Sequence, residues 1–450
     1  MEPFCHHVFV CTQQKPEGVA SCPCNGSWGV LQTLEHELVA QGIDDQVQVT
    51  TCGCLGLCDD GPIVIVYPDG VWYRGVKEAD VPEIAASHLR GGKPVSRLAW
   101  NDAERMKQQA SEHRAHYRAM VKAREEAGIL PDDLNEMIRG FMPSRAVLTA
   151  LELDVFTAIG DGHSAEQVSE KISADPRATE ILLDALVSLH LLSKKEDVFM
   201  NTPISARFLS KDSRDSARDA LMHTAILWGR WSKLSDCLRT GTSIETDARE
   251  SLWVQYFIAA MDRNARERAP LVVKAVERAG IKRMLDLGGG SAAYSIAFVR
   301  SSPGLESHII DLADVVPLAQ ENIQKAGLTD RITARASDML CDPLGANYDL
   351  VLLSAICHMF SVEENCRLIK KVFAALAHQG QLVIHDFILN SSKTAPRSAA
   401  LFSLNMLVGT RAGRSYSEPE YVHWLKEAGF TDVRRVRLPG PSGLLIGVRT

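Results

Sequence analysis

Two groups of residues in this chain have types and spacings suited to chemistry. Seven of the 11 cysteines, Cys5, Cys11, Cys22, Cys24, Cys52, Cys54 and Cys58, fall in the first 58 residues, while Cys237, Cys341, Cys357 and Cys366 are scattered over the rest. The pairs Cys11-x10-Cys22 and Cys54-x3-Cys58 lie in loops, at strand ends or beside glycines. Thiolates converging from glycine-containing loops are what a 2Fe–2S cluster requires, because small residues let backbone approach the sulfides. Zinc is a second reading, since Cys22-Pro-Cys24 and Cys52-Gly-Cys54 also offer thiolates. A disulfide framework fits less well, because nothing indicates secretion. The second group is Met284-Leu285-Asp286-Leu287-Gly288-Gly289-Gly290-Ser291, an apolar strand running into three glycines and then a helix. Such a loop lets a nucleotide-like cofactor lie against backbone at a helix N-terminus. Asp311 closes another strand 21 residues after Gly290 and is followed by Leu312, and a carboxylate there can accept two ribose hydroxyls. This spacing is shared by sites for NAD and for S-adenosylmethionine.

These groups need elements to hold them. A chain of 450 residues predicts about three domains at ~150 residues each. With 46% hydrophobic and 23% charged residues it is neither disordered nor fibrous. No apolar run approaches the ~18–20 residues of a membrane span. The start MEPFCHHVFVCTQQ lacks a basic segment followed by an apolar core, so a cytoplasmic location is expected. A net charge of −7 does not suggest a nucleic-acid binder. Residues 1–98 hold six Lys/Arg and twelve Asp/Glu, a net of −6, so the remainder is nearly neutral.

Residues 1–98 read as one small α/β domain. HVFV, VQVT and IVIVY are strand-like, SWGVLQTLEHELVAQ is helical up to Gly42, and PDG turns into the strand VWYRGV. Residues 99–131 carry mixed charge and few apolar side chains, which predicts an exposed linker helix ended by Gly128 and Pro131. Residues 132–255 form a helical domain. Residues 143–159 are expected as one helix, 164–172 as a second with a Ser-x-x-Gln capping box, and 175–190 as a third with Asp175 as N-cap. A wing over 191–202 follows. This is a winged-helix order, but the third helix presents Glu180 and Asp184 against Arg177, the wrong charge for reading DNA. The order suits dimerisation or covering a substrate. Residues 256–450 alternate strands (283–288, 307–312, 332–337, 348–354 and 380–387) with helices, as in a doubly wound parallel sheet, and end in an antiparallel hairpin.

Both groups also carry a resemblance. FVCTQQKPEG, SCPCNGS and TCGCLGLCDDGPIVIVYPDGVWYRGV resemble the bacterial thioredoxin-like 2Fe–2S ferredoxins, relatives of the small subunit of respiratory complex I, over residues 5–98. This implies Cys11, Cys22, Cys54 and Cys58 as cluster ligands, with Cys24 and Cys52 off the ligand positions as spare thiols or alternatives. The acidic balance would suit docking to a redox partner protein. LDLGGGSAAYSIAF, IIDLADVVPLA, SDML, LVLLSAICHMFS and GQLVIHDFIL resemble the S-adenosylmethionine-dependent O-methyltransferases of the caffeic-acid and acetylserotonin type, whose bacterial relatives act on polyketides and pigments. The match covers about residues 140–450 and includes a helical dimerisation region, which implies a homodimer. The implied fold is multidomain α/β: a thioredoxin-like ferredoxin, a helical winged-helix dimerisation region and a Rossmann-like methyltransferase sheet.

The second resemblance implies cofactor contacts from Asp286, Gly288, Gly289 and Gly290, from Asp311 to the ribose, from the adjacent Leu312, and from Asp338 and Met339 around the adenine. Ser354 stands where many relatives have Lys. His358 matches the general base of hydroxyl-methylating members, and a phenol of pKa about 10 attacks far better once such a His takes its proton. The chain departs from the pattern in two places. Met359-Phe360 replaces Asp-Trp after the His, and Ala412-Gly413-Arg414-Ser415-Tyr416-Ser417 lacks the Glu that steadies the base, with Glu418 and Glu420 out of register. Carbon or nitrogen methylation therefore stays open. Trp228, Trp231, Trp253, Tyr256, Phe257, Met261, Phe402 and Met406 are candidates for an apolar substrate pocket. The expected function is methyl transfer to a small, planar, apolar molecule by a methyltransferase with an accessory 2Fe–2S domain. A redox enzyme that binds S-adenosylmethionine without using its methyl group, and a non-enzymatic ferredoxin scaffold, are the alternatives.

Overall fold

A computed structural model of the chain describes residues 3–15, 19–244, 250–276 and 280–450, except for the side chains of 250–255. The chain divides into two compact units, Met1–Phe141 and Met142–Thr450. No helix among the described residues is long and apolar enough to cross a membrane.

The first unit begins with β1 (His6–Cys11), α1 (Ser27–Gln41) and β2 (Val47–Cys52). β3 (Val64–Tyr67) and β4 (Val71–Tyr73) follow as the expected hairpin around the Pro-Asp-Gly turn. The sheet order is β2-β1-β3-β4, with β1 parallel to β2 and antiparallel to β3. Parallel β1 and β2 need a crossover, and α1 supplies it, burying Val30, Leu31, Leu34 and Leu38 against Val8, Val10 and Val66. The register sets Cys11 directly opposite Cys52. Next comes α2 (Val81–Glu83), which continues as a wider turn over Ile84–Arg90.

α3 (Ala103–Glu126) and α4 (Asp132–Arg139) complete this unit. α3 was expected to be an exposed linker. Most of it is exposed, but one face packs on the cysteine loops. Ala110 is 6% exposed and joins Cys11, Cys22, Leu57, Ile63 and Trp100 in a small core. Gln109 Nε2 donates to Asp60 Oδ2 at 2.8 Å. Gly56, in the left-handed region at φ 83°, permits this approach, because a Cβ there would lie 3.1 Å from the Ala110 backbone. Met106, Ala110, His113 and Tyr117 fall at spacings of four, three and four, which is one helical stripe.

In the second unit the helix expected over 143–159 is broken at Asp154, which has φ 54°, into α5 (Phe141–Glu152) and α6 (Val155–Ile159). β5 (His163–Ser164) precedes α7 (Ala165–Ile172), whose capping box forms between Ser164 and Gln167. α8 (Pro176–Ser188) starts with Asp175 accepting from the Ala178 amide. β6 (Leu192–Lys195) and β7 (Val198–Asn201) are the expected wing, with β5 as a third strand. Lys194 lies 2.8 Å from Asp184, so the wing's cation neutralises the third helix rather than a phosphate. Helices α9 (Pro203–Phe208), α10 (Arg218–Trp231), α11 (Leu234–Thr240) and α12 (Glu250–Ala275) follow.

The large sheet is built from β8 (Arg283–Leu287), α13 (Ala293–Ser301), β9 (Glu306–Asp311), α14 (Val316–Ala326), β10 (Ile332–Ala336), β11 (Tyr348–Ser354), α15 (Val362–Ala375), β12 (Leu376–Asp386), α16 (Arg397–Gly409), α17 (Glu418–Ala428), β13 (Thr431–Arg437) and β14 (Gly443–Val448). Its order is β10-β9-β8-β11-β12-β14-β13, with β8 to β12 parallel and β13 and β14 the antiparallel edge pair. Strands covered on both faces read as continuous apolar runs, and Leu350–Leu353 are 0% exposed. Asp286, Asp311, Ser354 and Asp386 lie at or beside the carboxyl ends of parallel strands, the edge where such sheets bind ligands.

The turn that carries His358 is anchored by the start of α15. Ser361 and Glu364 form a reciprocal capping box there. Ser361→Ala should lower stability by about 1 kcal/mol, the usual cost of a lost N-cap, in urea unfolding of the full chain.

Candidate active site and cysteine centre

His358 sits in the short turn Cys357–Met359 that follows β11, and it is 5% exposed. Its Nδ1 lies 2.6 Å from Asp386 Oδ1. Asp386 ends β12, the neighbour of β11, so strand pairing brings the two groups together. Oδ1 of Asp386 also accepts from the Phe387 amide at 2.8 Å. Its Oδ2 accepts from the His358 amide and from the Tyr421 hydroxyl, each at 3.2 Å. Burial opposes ionisation of Asp386, yet His358 and these donors hold its carboxyl below the usual carboxylate range. An ionised carboxylate can only accept, so Nδ1 carries the proton and Nε2 is the ring nitrogen left to accept one. The geometry is one that can serve as a base with its orienting carboxylate.

Asp386 is the residue that sequence reasoning missed. The 412–417 stretch, where the family pattern places a Glu, has a different role in the structure. A Cβ on Gly413 would lie 2.2 Å from the His358 carbonyl, so the loop packs on the histidine's backbone. Glu420 is engaged with Lys393, Arg414 and Ser417, and Glu418 with Arg435. The available signal was Asp386 itself, the acidic end of an apolar strand paired with the one leading to His358.

Two aromatic rings stand beside His358. Phe387 and Phe402 stack at 3.9 Å between centroids, and Phe402 meets the His358 ring edge-on at 4.9 Å. Trp231 donates to Asn405 at 2.9 Å, tying α10 to α16, the helix that carries Phe402. Trp253, another pocket candidate, has its side chain outside the described residues.

The glycine loop leaves little room for side chains. Gly288 has φ 71°, and a Cβ there would collide with Ile356 at 2.2 Å. On Gly289 a Cβ would lie 2.8 Å from Ile309 and 3.1 Å from the Asp286 carboxyl, and Gly290 has φ 56°. Asp286 is 1% exposed and accepts from Ser295 at 2.7 Å, while its Oδ1 has no hydrogen-bond partner. Burial pushes its carboxyl up to about 7. Asp311 accepts from the Gly290 and Leu312 amides, each at 2.7 Å, which fixes its carboxylate over the loop. Leu312 is 65% exposed beside it. Met339 reaches Gly288, its Cε lying 3.5 Å from where a Cβ would stand, and Asp338 accepts from the Leu340 amide at 2.8 Å. An unpartnered acceptor, two glycines that exclude side chains and an exposed apolar residue beside a fixed carboxylate fit a nucleoside-bearing cofactor.

Ser354 is engaged inside the protein. Its Oγ lies 2.9 Å from His385 Nδ1, and His385 also contacts Tyr294 at 3.2 Å and Ser442 at 2.8 Å. The serine is thus part of an internal polar cluster.

In the first unit the cysteine loops converge. Cys11 neighbours Cys22 and Cys52, Cys22 neighbours Cys58, and Cys58 lies 3.5 Å from Cys54. Sharing with Cys22 holds the Cys11 and Cys58 thiols below their ordinary value and pushes the Cys22 thiol up. The Gly56 amide donates to Cys54 at 3.3 Å, and Lys15 donates to Cys58 at 3.1 Å. A Cβ on Gly61 would lie 2.7 Å from Cys22 Sγ. Cys11, Cys22, Cys54 and Cys58 therefore lie in one neighbourhood with Cys52 as a fifth thiol, while Cys24 is exposed and takes a hydrogen bond from Ser21. Several thiols with N–H donors and a glycine pressed against sulfur fit an iron–sulfur cluster.

Known proteins bear on the second unit. Residues 239–431 match the O-methyltransferase domain family, and residues 135–211 match the O-methyltransferase dimerisation domain. The chain is 32% identical to 3-hydroxy-5-methyl-1-naphthoate 3-O-methyltransferase of Streptomyces sahachiroi, over 71% of this chain and 95% of that one. It is 29% identical to acetylserotonin O-methyltransferase of Bos taurus, over 68% and 94%. A solved O-methyltransferase family protein from Burkholderia thailandensis superposes with a TM-score of 0.66 at 27% identity, over 71% and 97%.

The internal histidines give a pH signature. Burial lowers His385 from 6.5 to about 4, and it lowers His223 to about 4 as well. Between these values the unfolded chain binds protons that the folded chain does not, so stability falls as pH drops from 6.5 towards 4. His385 alone should contribute about 3 kcal/mol of that loss. Urea unfolding across this range should show the decline, with a shallower slope for His385→Gln.

Proposed function

The chain belongs to the O-methyltransferase family, and from that premise we propose that it methylates a hydroxyl group on a small, planar, aromatic molecule. The observation that carries this reading is the buried pair of His358 and Asp386 beside the stacked rings of Phe387 and Phe402. S-adenosylmethionine, when bound, supplies an electrophilic methyl group on a sulfonium. Asp311 would hold the ribose, Leu312, Asp338 and Met339 would surround the adenine, and the glycine loop with the open oxygen of Asp286 would take the rest of the molecule. Nε2 of His358 accepts the acceptor's hydroxyl proton, and Asp386 stabilises the resulting imidazolium without leaving its place. The two phenylalanines orient a flat acceptor edge-on to the base and exclude water, so orientation supplies much of the rate. Hydroxylated aromatic substrates of the relatives support this acceptor class. The match to a dimerisation domain supports a homodimer.

We further propose that the first unit is a thioredoxin-like ferredoxin holding a 2Fe–2S cluster on Cys11, Cys22, Cys54 and Cys58. Its support is the convergence of those thiols and a β-α-β-β-β-α order with one parallel and two antiparallel pairings. Its acidic balance suits a redox partner protein. In this reading methyl transfer needs no electron, and the cluster serves an accessory role.

The test is methyl transfer from labelled S-adenosylmethionine to a panel of hydroxylated and non-hydroxylated bicyclic aromatics. His358→Ala and Asp386→Asn should each lower kcat by ~10²–10⁴-fold with little change in cofactor binding. Full activity in both variants, or transfer to acceptors without a hydroxyl, would overturn the assignment.

A further inference from the structure

α3 does more than connect. Its stripe of Met106, Ala110, His113 and Tyr117 faces the cysteine loops, and His113 stands where the stripe crosses Cys54 and Cys58. The ligating atoms of those three residues lie within 4.8 Å of one another. Lys15 comes from the loop between Cys11 and Cys22 and reaches the same point, where it is 8% exposed. Its ammonium donates to Cys58 Sγ at 3.1 Å, hydrogen-bonds His113 Nε2 and lies 5.6 Å from the Tyr117 ring centre. A lysine shut in against a thiol, a histidine and an aromatic face is not a solvated surface charge. Nothing in the fold of the first 98 residues demands it, because the sheet and α1 have their own core.

Resting on the reading that the first unit holds a 2Fe–2S cluster, we propose that α3 covers the Cys58 side of that cluster. Lys15, braced by His113, is its charged hydrogen-bond donor to ligand sulfur. Adding one electron makes the cluster and its ligands more negative by one charge. A cation and N–H donor 3.1 Å from a ligand sulfur stabilises the reduced state more than the oxidised one and so raises the reduction potential. The helix shields Cys58 on that edge from water and chelators, while Cys54 stays exposed. Lys15 and His113 are thus positioning residues. They set the potential and the lifetime of the cluster without being its ligands.

The experiment uses the full chain purified anaerobically, with iron and acid-labile sulfide counted before anything else. Wild type without iron and sulfide would remove the cluster reading itself, and with it this inference. With the cluster present, an EPR-monitored redox titration should give Lys15→Met a more negative midpoint than wild type. Lys15→Arg, which keeps an N–H donor, should stay close to wild type. His113→Ala should shift the midpoint in the same direction as Lys15→Met, by less, and should speed loss of absorbance to an iron chelator several-fold. Unchanged midpoints and chelator rates in loaded Lys15→Met and His113→Ala would overturn the proposal. Changed g values in His113→Ala would also overturn it, because they would make the histidine an iron ligand. Far-UV circular dichroism of each variant separates these outcomes from misfolding.

Discussion

A carboxylate with no contact with water must be surrounded by donors, and Asp386 organises the catalytic half of this protein through that requirement. Its four hydrogen bonds come from its own chain neighbour, from the backbone and ring of His358, and from Tyr421 on α17. They join β12, the turn after β11 and the C-terminal helix into one unit. Tyr421 is in turn held in an aromatic cluster with Tyr416 and Trp424. The direction of the His358 ring and the identity of its proton-bearing nitrogen follow from that one buried charge. Replacing the carboxylate by an amide would leave the packing nearly intact and remove the reason for the tautomer.

The cofactor edge uses the same physics with the opposite outcome. Asp286 is as buried as Asp386, but one of its oxygens has no donor, and its carboxyl rises to about 7. A neighbouring ligand group with N–H or O–H donors would complete it. Asp311 is already fixed by two amides, so its carboxylate needs no rearrangement to meet a ribose. The contrast separates a group built for orientation within the protein from groups left open toward a ligand.

Much of this was legible in the sequence, for identifiable reasons. The strands of the large sheet are apolar runs bounded by glycines and charges, and the order of elements follows from their alternation with helices. The glycine loop and Asp311 could be found because their backbone geometry demands particular residues. Features made by tertiary contact were harder to see. Asp386 looked like the end of a strand, because its value lies in a neighbour 28 residues away. The break at Asp154 was hidden by an unbroken helical pattern and a non-glycine residue in the left-handed region. The stripe of α3 that packs on the cysteine loops contains a histidine and an alanine, which a hydrophobicity count passes over. Ser354 was read by its position in a motif, whereas its hydroxyl belongs to the buried His385 cluster.

The cysteine skew along the chain now corresponds to a structural division, since the convergent thiols all belong to the first unit. The catalytic reading of the second unit depends on none of them. Its central claim is that His358, oriented by Asp386, takes a proton from a substrate hydroxyl. A crystal structure of the protein with S-adenosylhomocysteine and a methyl acceptor tests that claim most directly. The acceptor hydroxyl should lie within hydrogen-bond reach of His358 Nε2, ~2.6–3.2 Å, with its ring against Phe387 and Phe402. An acceptor that turns its hydroxyl away and presents a carbon or nitrogen to the methyl position would contradict it.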